Sequence, residues 1–230
     1  MAKKGVNVVV TREDGKNEPL MAWLPTGVTV DEVPLTTTWY FDPDDVRAAL
    51  ASSPAVGTFR SLVVTSERGA DYVEIARHAS ASDVEVFVVG PATSGALRTR
   101  GIQVDAQGDG SADALAPFVT RGPVLVLGAQ SMREELIAAL REKGLEVETV
   151  ACYETVGLAL DSSAAATLRN ADVVFIGAPS AWTVAREYVK GDAWVVVPGA
   201  TTGATVRLDR PQVIEGWGPQ LRTRLAELSH

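Results

Sequence analysis

Short apolar runs alternate along the chain with polar or glycine-containing turns and with stretches of helical periodicity. Runs at 6–10, 28–33, 61–65, 84–89, 102–105, 124–127, 145–150, 173–176, 194–197 and 212–214 read as β-strands. Many are apolar at every position, Val8-Val9-Val10 and Val195-Val196-Val197 among them, which suits parallel strands covered on both faces. Helix signals lie between them. Asp42-Pro43-Asp44-Asp45 supplies an N-cap, a proline at the first helical position and early acids ahead of the apolar positions at 46–50. Residues 131–143 carry Met132, Leu136, Ile137 and Leu140 at helical spacing, and Gly144 marks the stop. Residues 66–79 and 179–190 read likewise. Strands that alternate with helices predict an α/β protein with parallel sheets.

The pattern repeats within the chain. Gly90-Pro91-Ala92-Thr93-Ser94-Gly95-Ala96-Leu97-Arg98 aligns with Gly199-Ala200-Thr201-Thr202-Gly203-Ala204-Thr205-Val206-Arg207, and each follows an apolar strand. Upstream, Leu62-Val63-Val64-Thr65-Ser66 parallels Asp172-Val173-Val174-Phe175-Ile176-Gly177, and Val8-Val9-Val10-Thr11-Arg12 parallels Leu125-Val126-Leu127-Gly128-Ala129. Two related α/β units of about five strands each follow from this. Residues 35–41 and 151–160 are extended and polar enough to be connectors. If they are, one unit is 41–150 and the other joins 1–34 to 161–230. A tandem division at Arg121/Gly122 satisfies the repeat equally well.

Composition removes several classes. The 230 residues are 46% hydrophobic and 22% charged, with 20 Gly and 12 Pro, which excludes a disordered, collagenous or coiled-coil chain. The apolar runs fall far short of the roughly 20 residues that span a bilayer. The first ten residues hold two lysines but no apolar signal core, so a soluble, cytoplasmic protein is expected. A net charge of −8 argues against a nucleic-acid footprint. One cysteine, Cys152, and two histidines build neither a disulfide nor a zinc site. His78 falls mid-helix and His230 is the last residue, so neither has an evident partner for base catalysis.

Candidate chemistry sits at the turns after strands, where ligands gather in parallel sheets. Thr11-Arg12, Thr65-Ser66, Gly90 to Thr93, Gly128 to Arg133, Gly177 to Ser180 and Gly199 to Thr202 offer close-approach glycines, hydroxyl side chains or both. Helix capping explains any one of these turns equally well. No phosphate-loop motif is present, and Gly108-Asp109-Gly110 does not complete a dinucleotide fingerprint. The cluster Asp42, Asp44, Asp45 fits a helix start better than a metal site. Trp39-Tyr40-Phe41 reads as core or interdomain packing rather than a ligand wall, and Cys152 as a small buried hydrophobe. Tyr153, in Cys152-Tyr153-Glu154-Thr155 just beyond a strand, carries a phenol able to donate to a leaving oxygen.

The ordered set of Val10-Thr11-Arg12, Thr65-Ser66-Glu67-Arg68-Gly69, Val89-Gly90-Pro91-Ala92-Thr93, Gly128 with Arg133, Tyr153-Glu154-Thr155, Pro179-Ser180-Ala181 and Gly199-Ala200-Thr201-Thr202 resembles the uroporphyrinogen-III synthase family over nearly the whole chain. The resemblance implies an α/β fold of two flavodoxin-like parallel-sheet domains joined by a two-stranded linker. Their division would be the discontinuous one, with 1–34 plus 161–230 in one domain, 41–150 in the other, and 35–40 and 151–160 as connectors. It implies cyclisation of hydroxymethylbilane with inversion of ring D and loss of water, without cofactor or metal. The expected partner is this small-molecule substrate alone, with no nucleic acid, no membrane and a monomeric enzyme. Tyr153 matches the tyrosine that assists hydroxyl departure. Arg12, Thr65, Ser66, Gly90, Thr93, Gly128, Ser180, Gly199 and Thr202 match substrate-binding positions. Gly177-Ala178 departs from the Thr-Ser often found there, and Gly128-Ala129-Gln130 lacks a basic residue sometimes present. A ligand-binding or sensor protein that has lost catalysis on the same scaffold is the alternative, favoured by the missing hydroxyls at 177 and 178.

Overall fold

Valine- and leucine-rich strands with fully buried stretches build two separate sheets in a computed structural model that describes residues 5–132, 134–218, 221–223 and 225. Arg133 and His230 lie outside the described residues. The chain opens with β1 (Asn7–Val10), α1 (Glu18–Met21), β2 (Thr29–Glu32) and β3 (Thr36–Tyr40). It continues through α2 (Pro43–Ala51), β4 (Phe59–Val64), a 3-10 helix at Glu67–Tyr72, α3 (Val73–His78), β5 (Ser80–Val88), α4 (Pro91–Thr99) and β6 (Ala106–Gln107). Next come α5 (Ala112–Leu115), β7 (Val124–Ala129), α6 (Glu134–Glu142), β8 (Val147–Gly157) and α7 (Ser162–Asn170). The last elements are β9 (Val173–Phe175), α8 (Pro179–Ala185), β10 (Trp194–Val197), α9 (Ala200–Arg207) and β11 (Val213–Glu215). No helix among the described residues is long and apolar enough to cross a membrane.

Contacts divide the chain into two units, Met1–Thr37 with Thr155–His230, and Thr38–Glu154. In the first, the sheet order is β11-β10-β9-β1-β2, and every neighbouring pair is parallel. In the second, the order is β3-β8-β7-β4-β5-β6, with the pairs from β8 to β6 parallel. Numbering each unit along its repeat gives one doubly wound order, 2-1-3-4-5, twice. β7, β8, β4, β5 and β6 of the second unit stand where β1, β2, β9, β10 and β11 stand in the first. The second unit runs through that order from a different starting strand, beginning at the third. Repeated segments therefore fall on equivalent elements: α4 and α9 each start from a glycine N-cap, and their Thr93 and Thr202 are both buried.

Sequence dictates most of these elements directly. Val8, Val9 and Val10 have no exposed surface because helices cover both faces of β1, and each buried valine contributes on the order of 1.5–3 kcal/mol. At the start of α2 the Asp42 carboxylate accepts from Asp44 N–H at 2.8 Å, with Pro43 at the first position. Leu136, Ile137 and Leu140 form the buried stripe of α6, and Gly144 closes the turn after it at φ +79°.

Several expectations need correction. The helix expected over 179–190 stops at Ala185, and His78, expected mid-helix, ends α3. Residues 102–105 are not a strand. Asp105 N–H donates to Val86 O at 2.8 Å, while its carboxylate accepts Val86 N–H at 2.7 Å, so a side chain fills the ladder position and regular pairing starts only at Ala106. The helix at 66–79 is interrupted. Ser66 caps a 3-10 turn in which Gly69 packs so closely that a Cβ would lie 3.2 Å from Val64 Cγ1, and the α-helix begins at Val73. Trp39-Tyr40-Phe41 is not a packed cluster: only Phe41 joins the core, while Trp39 and Tyr40 are exposed.

Candidate functional site

Doubly wound sheets bind ligands where the strand order reverses, at the carboxyl ends of strands 1 and 3. In the Thr38–Glu154 unit those ends are Gly128-Ala129 at the end of β7 and Thr65-Ser66 after β4. A cavity of about 620 Å³ opens there, walled by Thr65, Val89, Gly110, Ala129, Met132 and Tyr153. The Thr65 hydroxyl donates to Leu127 O at 3.0 Å, across the strand pair. Gly128 lies behind this wall. A Cβ there would overlap the Thr65 hydroxyl and lie 3.2 Å from Met132 Sδ, so only glycine lets the two strand ends approach.

Tyr153 is 5% exposed, and its ring borders the cavity. It is reached through a register shift in which Gly128 pairs with Ala151 and Ala129 with Tyr153, an irregularity inside β8, opposite the end of β7, that re-aims the side chain. The Tyr40 ring stands 6.4 Å away, tilted by 48°, and the Arg68 guanidinium lies 5.8 Å from the ring centre. Ring and guanidinium hold the phenol in place, and its hydroxyl donates no hydrogen bond among the described residues.

The residue skipped by that register shift is Cys152. Its thiol is fully buried, and burial pushes it up to about 12. Such a thiol stays protonated and unreactive. The native chain is therefore expected to resist alkylation by iodoacetamide at pH 8 and to react only after unfolding; rapid labelling of the folded chain would contradict this burial.

The other sequence candidates are placed as follows. Ser66 accepts from Arg68 N–H at 3.3 Å, so its hydroxyl caps the 3-10 turn. Gly90 caps α4 and packs against the loop after β6, where its Cβ would lie 3.6 Å from Gly110 Cα. Thr93 is buried one turn into α4. In the other unit, Arg12 follows β1 with its guanidinium 5.6 Å from the Trp217 ring centre, donating to Lys16 O at 2.8 Å. Ser180 lies in the first turn of α8, Gly199 caps α9 and Thr202 is buried on α9. Thr65 and Tyr153 thus share one cavity with Gly128 behind them, and Arg12, Ser180, Gly199 and Thr202 belong to the equivalent strand ends of the first unit. Ala178 caps α8 without a hydroxyl, yet its backbone, at φ −155° and ψ 160°, closely follows that of Gly90 at −153° and 172°.

Sequence reasoning missed Gly110, Ser111 and Glu135 as cavity residues, while Ser131 and Met132 fall in the turn 128–133 that it marked. A usable signal is present. Gly108-Asp109-Gly110 follows β6, the fifth strand of its repeat order, and Gly110 takes φ +110° with its N–H on Val89 O at 2.8 Å. Tested only as a dinucleotide fingerprint, the motif fails, although its position after that strand marks it as a site loop.

The model of the family uroporphyrinogen-III synthase HemD matches residues 25–212. Among solved structures, a mutant uroporphyrinogen III synthase from the extremely thermophilic bacterium Thermus thermophilus is 18% identical, with a TM-score of 0.63 over 97% of each chain. Uroporphyrinogen-III synthetase from Helicobacter pylori 26695 is 15% identical, with a TM-score of 0.64 over 98% of this chain and 100% of that one. At these identities the likeness establishes the two-unit α/β fold. Comparison with curated proteins gives no match.

Proposed function

The chain belongs to the uroporphyrinogen-III synthase family, and from that premise we propose that it cyclises hydroxymethylbilane, with inversion of ring D and loss of water, to uroporphyrinogen III. The observation that carries this reading is the Tyr153 phenol, held by ring contacts on the wall of a cavity with its hydroxyl donating to none of the described residues. In the proposed reaction that hydroxyl donates to the departing hydroxyl of the substrate. The C–O bond breaks, the pyrrole nitrogen supplies electrons and an azafulvene forms. Ring D then attacks to give a spiro-pyrrolenine, which fragments and re-closes at the other α-carbon of ring D. The proton lost from that carbon restores the phenol, so the balance is one water released and no cofactor consumed.

Charge supports a division of labour in the cavity. Its charged lining residues are Asp113 and Glu135, both acidic, which disfavours substrate carboxylates there and favours pyrrole rings and their N–H groups. The carboxylates are assigned instead to hydroxyl and backbone N–H donors at Ser66, Gly90 and Thr93, since the Thr65 hydroxyl and N–H are both committed to Leu127 O and Gly128 lies behind Thr65. Equivalent roles fall to Arg12, Ser180, Gly199 and Thr202 in the other unit. The extended backbone at Ala178, with no side-chain cap, leaves the N–H groups of α8 from Ser180 on uncapped by a hydroxyl. Since unaided closure gives the type I isomer, the enzyme's contribution is largely positioning. Freshly generated hydroxymethylbilane supplied to the protein is expected to yield mainly the type III isomer, faster than unaided closure. Type I product alone, at the unaided rate, would sink the proposal.

A further inference from the structure

The exposed ring of Tyr40 is unexplained by the fold and adjoins the residue on which the proposed reaction depends. Phe41 N–H donates to Cys152 O at 3.0 Å, and Leu158 N–H to Leu35 O at 2.9 Å. As one index rises by six the other falls by six, so β3 and β8 run antiparallel, and Tyr40 stands directly across from Tyr153. Cross-strand neighbours share a face, and their ring separation of 6.4 Å agrees. The two rings differ sharply in environment, Tyr153 being 5% exposed and Tyr40 55%. One face of the Tyr40 ring is spent on Tyr153, while the rest meets solvent at the outermost strand of its sheet. Trp39 is 65% exposed, but side chains alternate along a strand, so it points to the opposite face.

We propose that Tyr40 is a further substrate-binding residue, its ring extending the Tyr153 wall to receive one pyrrole ring of the linear tetrapyrrole. The inference rests on the reaction proposed above. A pyrrole is an electron-rich ring with a single N–H donor, and a phenol ring accepts it by offset stacking or by N–H donation to the π face. A ring held beside Tyr153 places the reacting end of the substrate at the phenol.

Losing this contact is expected to raise KM for hydroxymethylbilane roughly tenfold in Tyr40→Ala, with kcat moving less than KM. Tyr40→Leu, which keeps apolar bulk without a ring, should raise KM similarly and separates stacking from lost packing. Tyr40→Phe should restore KM to within about twofold, and Trp39→Ala should leave it unchanged. Tyr40→Ala or Tyr40→Leu at the wild-type KM, with type III product still formed, overturns this inference alone. So does a fall confined to kcat. A wild-type chain that forms only the type I isomer overturns the reaction and this inference together.

Discussion

Tyr153→Phe is expected to lower kcat for hydroxymethylbilane closure roughly 100-fold, the lower end of what a positioned proton donor contributes, with KM and thermal stability unchanged. The argument rests on what the substitution leaves in place. The ring stays in the core cluster that includes Leu125, Leu127 and Cys152, and it keeps its contacts with Tyr40 and Arg68. The lost hydroxyl donates to no described residue, so no buried acceptor is orphaned and little folding energy changes. Alanine would be a poor test, because truncating a buried aromatic costs about 3–5 kcal/mol and conflates unfolding with catalysis. Rapid-mix kinetics and a thermal melt on the Phe variant separate the two effects. A wild-type kcat would reduce Tyr153 to a packing residue.

The sheet architecture was legible because burial on both faces forces uninterrupted apolar runs, as at Val124 to Leu127, and because the chain states its strand-to-helix turn twice. The Gly90 and Gly199 turns could be paired by eye, and that pairing already contained the common strand order of the two units. Illegible features were those set by distant partners. Nothing local to Asp105 says that its carboxylate will replace a ladder acceptor for Val86. Nor does anything local to β8 say that it runs on to Gly157, since its final residues are held by β3, more than a hundred positions earlier. The site was half legible on the same grounds. Thr65 stands at a strand end, where position alone marks it, whereas Tyr153, expected just beyond a strand, lies inside β8 because that strand continues to Gly157. Glu135 reaches the cavity only through the placement of α6. Tyr40 was hidden by its own neighbours, because an aromatic triplet reads as core, whereas alternation along β3 sends its members to opposite faces.

Gly128→Ala should destabilise the Thr38–Glu154 unit by about 2 kcal/mol, lowering its melting temperature by roughly 4–8 °C. The added methyl overlaps the Thr65 hydroxyl and comes within 3.2 Å of Met132 Sδ. Met132 is flexible and can swing aside. Thr65 cannot move so cheaply: its hydroxyl is committed to Leu127 O at 3.0 Å, and its backbone N–H donates to the same carbonyl at 3.0 Å. Rotating the side chain forfeits one hydrogen bond, about 1 kcal/mol, and brings the threonine methyl toward the same space. Opposing this, alanine restricts the unfolded chain and returns about 0.4–1 kcal/mol, too little to offset overlap and lost bond together. The same overlap would push Thr65 and Met132 into the cavity that both line, so activity should fall along with stability. A double-mutant cycle isolates the cause. In a Thr65→Ala background the methyl has room, and Gly128→Ala should then cost less than about 0.5 kcal/mol, a coupling of at least roughly 1 kcal/mol. Purely additive losses would place the strain elsewhere in the strand end and remove close packing of Gly128 against Thr65 as the reason for glycine at this position.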